Sequence, residues 1–514
     1  MKSFTFLPIV GSIIYWLILV SITPLSGFAQ NLQMLWSRSY GLPGILNDEV
    51  CLSVASTQDG GFALAGYTNS QGAGSYDFWL VRVDSAGDSL WSRTFGGLLT
   101  DLCYAVKQTP DGGFVLAGTS NSFGPSYDFW LVKTDASGTI QWSRTYGSTL
   151  DDQCWALDLD TDGGYILAGT WNGTWFGSDV GVVKTDSLGN PQWVQVYGGS
   201  DVQACRSIQQ VTDGGYVLAG YRWTNVLQVN EVLLIKTDAS GTLQWSRTYG
   251  WNNVNADCHA VRQTPDGGYA LAGEFDYITP FTGYGLLMKT NAGGDILWTR
   301  QIGQGGIFSG DAFYAVDCLP DNGFILGGFS EGDIQGSGDF WLVRTNSVGD
   351  TLWTQTFSND DPLQGLYGDI CTAVEQTEDG GFVMAGYTGQ GDFVSQLDFW
   401  LVRTTPDPTS VPFAESIPGA FSLSQNYPNP FNSSTEIRFQ MTEVGVSQSA
   451  EIVVYNVKGQ KVKQLVSDQL SAGQHSVIWN GDDDFGKPVS SGIYYYKLSV
   501  NGKIEAVNKC LLLK

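Results

Sequence analysis

Apolar and polar residues alternate in short stretches along most of the chain, and glycine-rich turns interrupt the alternation at regular intervals. Residues Cys103 to Gln108, Phe114 to Thr119, Asp128 to Thr134 and Ile140 to Tyr146 each read as a strand. They are rich in β-branched and aromatic side chains and keep a period of two. Pro110-Asp111-Gly112-Gly113 and Asp135-Ala136-Ser137-Gly138 supply the reversals between them, with glycine where a positive φ is needed. No stretch of this region keeps a period near 3.6, so no helix is predicted.

The same four-strand pattern recurs. An Asp-Gly-Gly-aromatic turn, once Asp-Asn-Gly-Phe, begins at Asp59, Asp111, Asp162, Asp213, Asp266, Asp321 and Asp379. A tryptophan keeps the same beat at Trp36, Trp91, Trp142, Trp193, Trp245, Trp298 and Trp353. Repeated units of about 50 residues with four antiparallel strands are the signature of a β-propeller. The prediction is all-β: a seven-bladed β-propeller of four-stranded blades, followed by a small immunoglobulin-like β-sandwich. Trp36 precedes the first turn, whereas the third strand after Asp379 has no tryptophan strand behind it. Residues 32–41 are therefore expected to supply the outermost strand of the last blade, which removes a free edge.

Residues present in every unit are assigned to blade architecture. Hairpins of the form Asp/Asn-x-x-Gly-x-x-x-Trp, such as Asp84-Gly87-Trp91 and Asn346-Gly349-Trp353, resemble the tryptophan-docking motif of quinoprotein propellers. The Asp-to-Gly spacing is one residue shorter here and there are seven units rather than eight, so the resemblance implies blade locking and not a quinone site. Cys51, Cys103, Cys154, Cys205, Cys258 and Cys371 each lie eight residues before the turn Asp. Equivalent sites on neighbouring sheets are roughly 10 Å apart, beyond the ~7 Å reach of a disulfide. These cysteines are expected to be small buried hydrophobes.

Variable positions are the candidate site. Turns on one propeller face are short and uniform; those on the other vary in length and chemistry, as in TWNGTWFGSDV, YRWTNVLQVNE and EFDYITPFTGYG. Trp171, Trp175, Trp223, Trp251, Tyr277 and Phe281 fall in these variable connections and suit sugar stacking, a protein contact, or burial within their own loops. A second variable set follows the inner-strand cysteine: Leu52, Tyr104, Trp155, Arg206, His259, Tyr314 and Thr372. Of these, Trp155, Arg206 and His259 are taken as candidate ligand contacts in the central channel. Acidic residues recur near the same mouth at Asp101, Asp152, Asp257, Asp311 and Asp369, and before third strands at Asp77, Asp128, Asp339 and Asp398. Loop capping accounts for their recurrence, and calcium is the one cofactor they suggest.

The chain carries 51 Asp and Glu against 26 Lys and Arg, a net charge of -25, which argues against nucleic acid and anionic lipid as partners. It has two histidines, His259 and His475, and no Gly-x-Ser-x-Gly, His-Glu-x-x-His or phosphate-loop motif. A hydrolase or lyase using a carboxylate pair needs none of these and stays open.

Lys2, the apolar run from Phe6 to Val20 and Ser26-Gly27-Phe28-Ala29 read as a signal peptide over residues 1–29, with an uncleaved membrane anchor built on Pro8 to Val20 as the alternative. The expected organisation continues with a propeller over 30–404, a Pro/Ser-containing linker over 405–420 and a terminal domain over 421–514. No other stretch is long and apolar enough to span a membrane, so no membrane insertion is expected after cleavage. The terminal segments NYPNPF (Asn426 to Phe431), VVYNVKGQKVKQL (Val453 to Leu465), WNGDDDFGKPVSSGIYYYKL (Trp479 to Leu498) and NKCLLLK (Asn508 to Lys514) carry a resemblance. They are similar to the type A C-terminal sorting domain of the type IX secretion system, kin to the immunoglobulin-like module of flagellar hook-capping proteins. Cys510 departs from it, where such tails carry an apolar residue. The resemblance implies type IX machinery as a partner and a secreted or outer-membrane cell-surface location. The combined expectation is a surface binding or adhesion module for a glycan or protein. A polysaccharide-active enzyme and a purely structural surface protein are the alternatives.

Overall fold

The computed structural model describes residues 32–512, apart from 43–46, 175–176, 200, 225–227, 279–281, 304–309, 332–337, 360–367, 391–395, 410–421, 424–425, 427–430, 433, 442–447, 457–459, 472 and 501–502. The expected signal peptide, Trp175 and Phe281 lie outside the described residues, as does most of the expected linker. The chain divides into two compact units, Met1–Ser410 and Val411–Lys514.

The first unit holds seven four-stranded antiparallel sheets in chain order. Blade 1 runs Glu49–Ser56, Phe62–Thr68, Asp77–Val83 and Ser89–Phe95, from inner to outer strand. Blades 2 to 6 repeat this order, with inner strands Asp101–Gln108, Asp151–Leu159, Val202–Gln210, Val254–Gln263 and Ala312–Cys318. Blade 7 takes Ile370–Gln376, Phe382–Gln390 and Gln396–Thr404 from the end of the unit and its outer strand, Met34–Tyr40, from the beginning. Met34–Tyr40 pairs antiparallel with Gln396–Thr404, so the clasp predicted at Trp36 is present. Each inner strand contacts the next, and the seventh returns to the first, where the Thr372 hydroxyl donates to the Cys51 carbonyl at 3.0 Å.

Two devices hold the blades, one between neighbours and one within each. Each outer-strand tryptophan packs on the aromatic of the next blade's Asp-Gly-Gly turn, from Trp36 on Phe62 round to Trp353 on Phe382, with ring centroids 5.9 to 6.4 Å apart. The other side of the indole meets the glycine of the next blade's outer hairpin. A Cβ at Gly87, for example, would lie 2.6 Å from the Trp36 ring, and its φ of 82 to 76° across the series suits glycine alone. Second, a buried cation on each third strand reaches the Asp of its own Asp-Gly-Gly turn. Lys133 meets Asp111 at 2.9 Å, Lys184 meets Asp162 at 2.9 Å, Lys236 meets Asp213 at 2.8 Å and Lys289 meets Asp266 at 3.0 Å, and Arg82, Arg344 and Arg403 do the same with Asp59, Asp321 and Asp379.

Blade 7 has no hairpin between its third and outer strands, because the chain leaves there. Asp407 takes the hairpin's place. Its carboxylate accepts from Arg344 Nε at 2.9 Å, Trp353 Nε1 at 2.9 Å and Thr409 N at 2.9 Å, while Thr405 N donates to the Gln33 carbonyl at 2.8 Å. Residues 405–409 are thus folded onto the last blade.

The second unit is a two-sheet sandwich. One sheet orders Ser422–Leu423, Thr435–Met441 and Gly473–Trp479; the other orders Lys461–Leu470, Gln448–Asn456, Gly492–Val500 and Lys503–Leu512. Trp479, Tyr496, Ile452, Leu498 and Leu512 fill its core, and Cys510 is fully buried among them, filling the apolar position the sequence pattern calls for.

Candidate functional site

The central channel is built by one repeated irregularity. In every inner strand the pairing slips by one residue, between Cys51 and Ser53, Cys103 and Ala105, Cys154 and Ala156, Cys205 and Ser207, Cys258 and Ala260, Phe313 and Ala315, and Cys371 and Ala373. The extra residue of each β-bulge is Leu52, Tyr104, Trp155, Arg206, His259, Tyr314 or Thr372, and a bulge re-aims the side chain it carries. The cysteine thiol spans the bulge, donating to the carbonyl two residues on, as Cys205 does to Ser207 at 3.3 Å. Phe313 replaces it in blade 6. All eight cysteines are free, and burial pushes the Cys205 and Cys371 thiols up to about 12, so they are packed donors rather than thiolates.

These bulge residues meet one another around the lumen. Tyr104 and Trp155 rings lie 6.4 Å apart, the Arg206 guanidinium sits 3.7 Å over the Trp155 ring, and His259 and Tyr314 rings are 4.7 Å apart. The charge of Arg206 in blade 4 is felt by Tyr104 in blade 2 and by Tyr314 in blade 6. Only the lumen of the ring brings side chains of alternate blades that close. A second tier comes from the second strands, one residue per blade after the glycine: Tyr67, Thr119, Thr170, Tyr221, Glu274, Phe329 and Tyr387. Tyr67, Phe329, Tyr387 and the bulge residue Tyr314 make one side of the channel aromatic.

Blade 5, next to blade 6, brings charge. Glu274 and Asp276 alternate onto one face of the second strand, and Asp257 pairs with Glu274 across the inner strand. His259 Nε2 lies 3.7 Å from Glu274, and Arg206 approaches from blade 4. Burial raises the Asp257 carboxyl above its ordinary value and the Glu274 charge adds to it, while His259 and Arg206 oppose. Glu274 is also desolvated, yet contact with His259 and the Arg206 charge bring it below the usual carboxylate range. Asp276 has no such partner: burial, then the charges of Glu274, Asp257 and Glu331, push it up to about 7.

Asp257 was grouped above with the recurring mouth acids, but its place differs. Asp101, Asp152 and Asp369 stand two residues before the bulge cysteine, and Asp257 stands one before it. That single step moves it to the other face of the strand. The in-phase acids cap loops: Asp101 accepts from Gly97 N and Ser122 Oγ at 2.8 Å each, Asp77 from Ala73 N at 2.7 Å, and Asp152 from Asn172 N at 2.6 Å. Among the described residues no group of three or more Asp, Glu, His and Cys is arranged to hold a metal ion.

The loop aromatics are placed differently from one another. Trp171 is 9% exposed, packed edge-on to Phe129 at 5.4 Å and flat against Gly181, so its ring belongs to the core between blades 2 and 3. Trp251 and Tyr277 are half-buried on Phe275, at 4.9 and 5.4 Å, and pack their own blade. Trp223 is half-buried on the second strand of blade 4, paired with Val202 and Asn230. The candidates brought together are Trp155, Arg206 and His259. Sequence reasoning passed over Glu274, Asp276 and Tyr221, although their signal was available: the residue after the second-strand glycine varies between blades as the bulge residue does.

The FlgD Ig-like domain family matches residues 424–503, so the terminal unit carries that immunoglobulin-like fold. No curated protein matches the chain. Among solved structures, a fungal alcohol oxidase of the AA5 family is similar over 94% of this chain and 100% of its own, with 13% identity and a TM-score of 0.45. A protein of unknown function from Dyadobacter fermentans is similar over 73% of this chain and 99% of its own, with 11% identity and a TM-score of 0.42. The β-propeller domain of the Trilobed protease from Pyrococcus furiosus is similar over 73% of this chain and 98% of its own, with 10% identity and a TM-score of 0.37.

Proposed function

We propose that the protein is a secreted or cell-surface binding module that takes its ligand in the central channel, at the end facing the variable loops. One observation carries this reading. Seven positions that share one backbone geometry hold six different side chains, and those of blades 3 to 5 converge with second-strand carboxylates into a single polar site. Packing alone asks for repetition there, as the cysteines next door show. The test is a glycan and surface-protein array probed with the full chain, Trp155→Ala and Arg206→Met, with Leu90→Ala on the outer rim as control. Retention lost in both channel variants, with melting unchanged, supports the reading; retention equal in all four chains rejects it.

Export is part of the same proposal. The signal-like residues 1–29 and the sorting-domain resemblance of residues 421–514 support passage through the type IX machinery to the surface. A reporter fused to residues 414–514 should leave a type IX-competent host, and periplasmic retention would reject that route. A hydrolase acting at the same channel is a second reading, favoured by Glu274 and Asp276 on one strand face with their proton affinities driven apart. Turnover of a polysaccharide that disappears in Asp276→Asn would favour it over binding alone.

A further inference from the structure

The channel site contains polar atoms that the protein leaves without a hydrogen-bond partner, and they are of both kinds. Trp155 Nε1 and Arg206 Nε are buried donors with no acceptor, and Asp257 Oδ1 is a buried acceptor with no donor, although Asn230 hydrogen-bonds the same carboxylate. Asp257 is 7% exposed as a residue and faces Glu274, His259 and Arg206. An unmet buried polar atom is costly, so three in one place are a demand for something that fills it.

The chemistry of that occupant follows by elimination. A cation satisfies Asp257 but leaves the Trp155 and Arg206 donors unmet. An anion satisfies those donors but leaves Asp257 unmet and brings a like charge toward Asp257 and Glu274. A group that donates and accepts from neighbouring atoms meets both demands; water does so one molecule at a time, and adjacent ring hydroxyls do so while covering the aromatic faces beside them. Half-buried Tyr104 and Tyr314 beside Trp155 and His259 supply ring faces for the apolar side of a sugar.

We propose that the channel ligand is an uncharged saccharide whose hydroxyls bridge from the Trp155 and Arg206 donors to the Asp257 carboxylate. This rests on the channel-binding reading above and narrows it. Discrimination against acidic sugars is built in, because Asp257 accepts a hydroxyl and repels a carboxylate. A peptide loop, which also donates and accepts, is the competing occupant.

The experiment is calorimetric titration of the full chain with three probe sets. They are neutral oligosaccharides of glucose, galactose, mannose, xylose and N-acetylglucosamine; their uronate counterparts; and a panel of neutral and acidic peptides. A neutral oligosaccharide should bind, with its uronate counterpart at least about tenfold weaker. Trp155→Phe, which keeps a six-membered ring and removes the Nε1 donor with the rest of the indole, should weaken the neutral sugar several-fold. Asp257→Asn should weaken it further and shrink the gap to the uronate, with melting curves establishing that each variant is folded. If Asp257→Asn does not fold, Trp155→Phe and Arg206→Met carry the test. Uronate binding tighter than neutral, or peptide binding without sugar, overturns the saccharide assignment while leaving channel binding intact. A bound ligand insensitive to Trp155, Arg206 and Asp257 overturns channel binding itself.

Discussion

Replacing Asp407 by alanine should destabilise the propeller although the residue lies beyond the last strand, in a segment whose sequence reads as linker. Asp407 and Arg344 side chains are each 1% exposed, and they meet at 2.9 Å. The same carboxylate takes the Trp353 indole N–H and the Thr409 hydroxyl, the latter at 2.8 Å. Burial disfavours its charge, but the Arg344 and Thr409 hydrogen bonds outweigh burial and hold its carboxyl below the ordinary value. A hydrogen bond to a charged group contributes about 1.5–3 kcal/mol, and breaking a fully buried ion pair costs about 3–5 kcal/mol. The loss here falls short of that sum, since Arg344 keeps Asp321 and Trp353 keeps Thr409 Oγ1 at 3.1 Å. About 2–4 kcal/mol is the expected cost. At roughly 2 cal/mol/K of unfolding entropy per residue, a propeller of ~375 residues loses about 2–5 °C in Tm.

Differential scanning calorimetry of the full chain and Asp407→Ala measures this, with Gln141→Ala, an exposed outer-strand residue, as comparison. The same substitution in an Arg344→Met background should cost much less, because the charge it serves is gone. A shift below about 1 °C, or an equal cost in both backgrounds, would refute the claim that residues 405–409 finish the seventh blade.

Three further outcomes are expected. Deleting residues 32–41 exposes the edge of Gln396–Thr404 and removes Trp36 from Phe62 and Gly87; Tm should fall by about 5 °C or more, with association detectable by light scattering. Asp276 has a folded-state pKa raised from 3.8 to about 7, so its effect on stability worsens as pH rises from about 4 to 7. Asp276→Asn should therefore melt higher than the parent at pH 8 and equal to it near pH 4. Lys133→Met trades a buried cation for an apolar side chain and leaves Asp111 half-exposed, so the cost at pH 7 should be at most about 1 kcal/mol by denaturant titration. Asp111 is the opposite case from Asp276: its pKa is lowered to about 2 because the Thr109 and Lys133 hydrogen bonds outweigh burial, and its contribution is lost as pH falls from about 4 to 2. The Lys133→Met variant should show a flatter acid limb.

The blades were legible because they are forced by repetition. A turn and a tryptophan on one beat fix the strand count, and the unpaired ends of the series fix the clasp. The bulge was not legible, since nothing in CLSVAS or CWALDL says which residue is the extra one; that choice is made by pairing with the neighbouring strand. Trp171 was misjudged as a loop residue for a related reason. The second strand of blade 3 continues to Thr174, which carries the indole back over Phe129. Asp407 was hidden by composition: Pro406 and Pro408 mark a boundary, yet the residue between them closes the ring.

The regularity that identifies the scaffold also gives a rule for finding its site. A position with a fixed structural duty repeats, so the glycines, tryptophans and turn aspartates drop out, and what is left is measured against its own register rather than against the whole sequence. By that measure Asp257 is not one more mouth acid but the residue at which blade 5 departs from the others. Val50, Leu102, Gln153, Ala204, Ala312 and Ile370 hold the equivalent place, and none brings a charge. Glu274 faces it where the other blades have Tyr, Thr or Phe, and His259 and Arg206 stand close enough to oppose the rise that burial imposes on the Asp257 carboxyl. Mutual repulsion and desolvation also act on Asp77 beside Asp101 and on Asp128 beside Asp152, but only in blade 5 do the carboxylates stand with the bulge residues His259 and Arg206. That cluster, at the place where seven blades converge, is what the proposed ligand would meet.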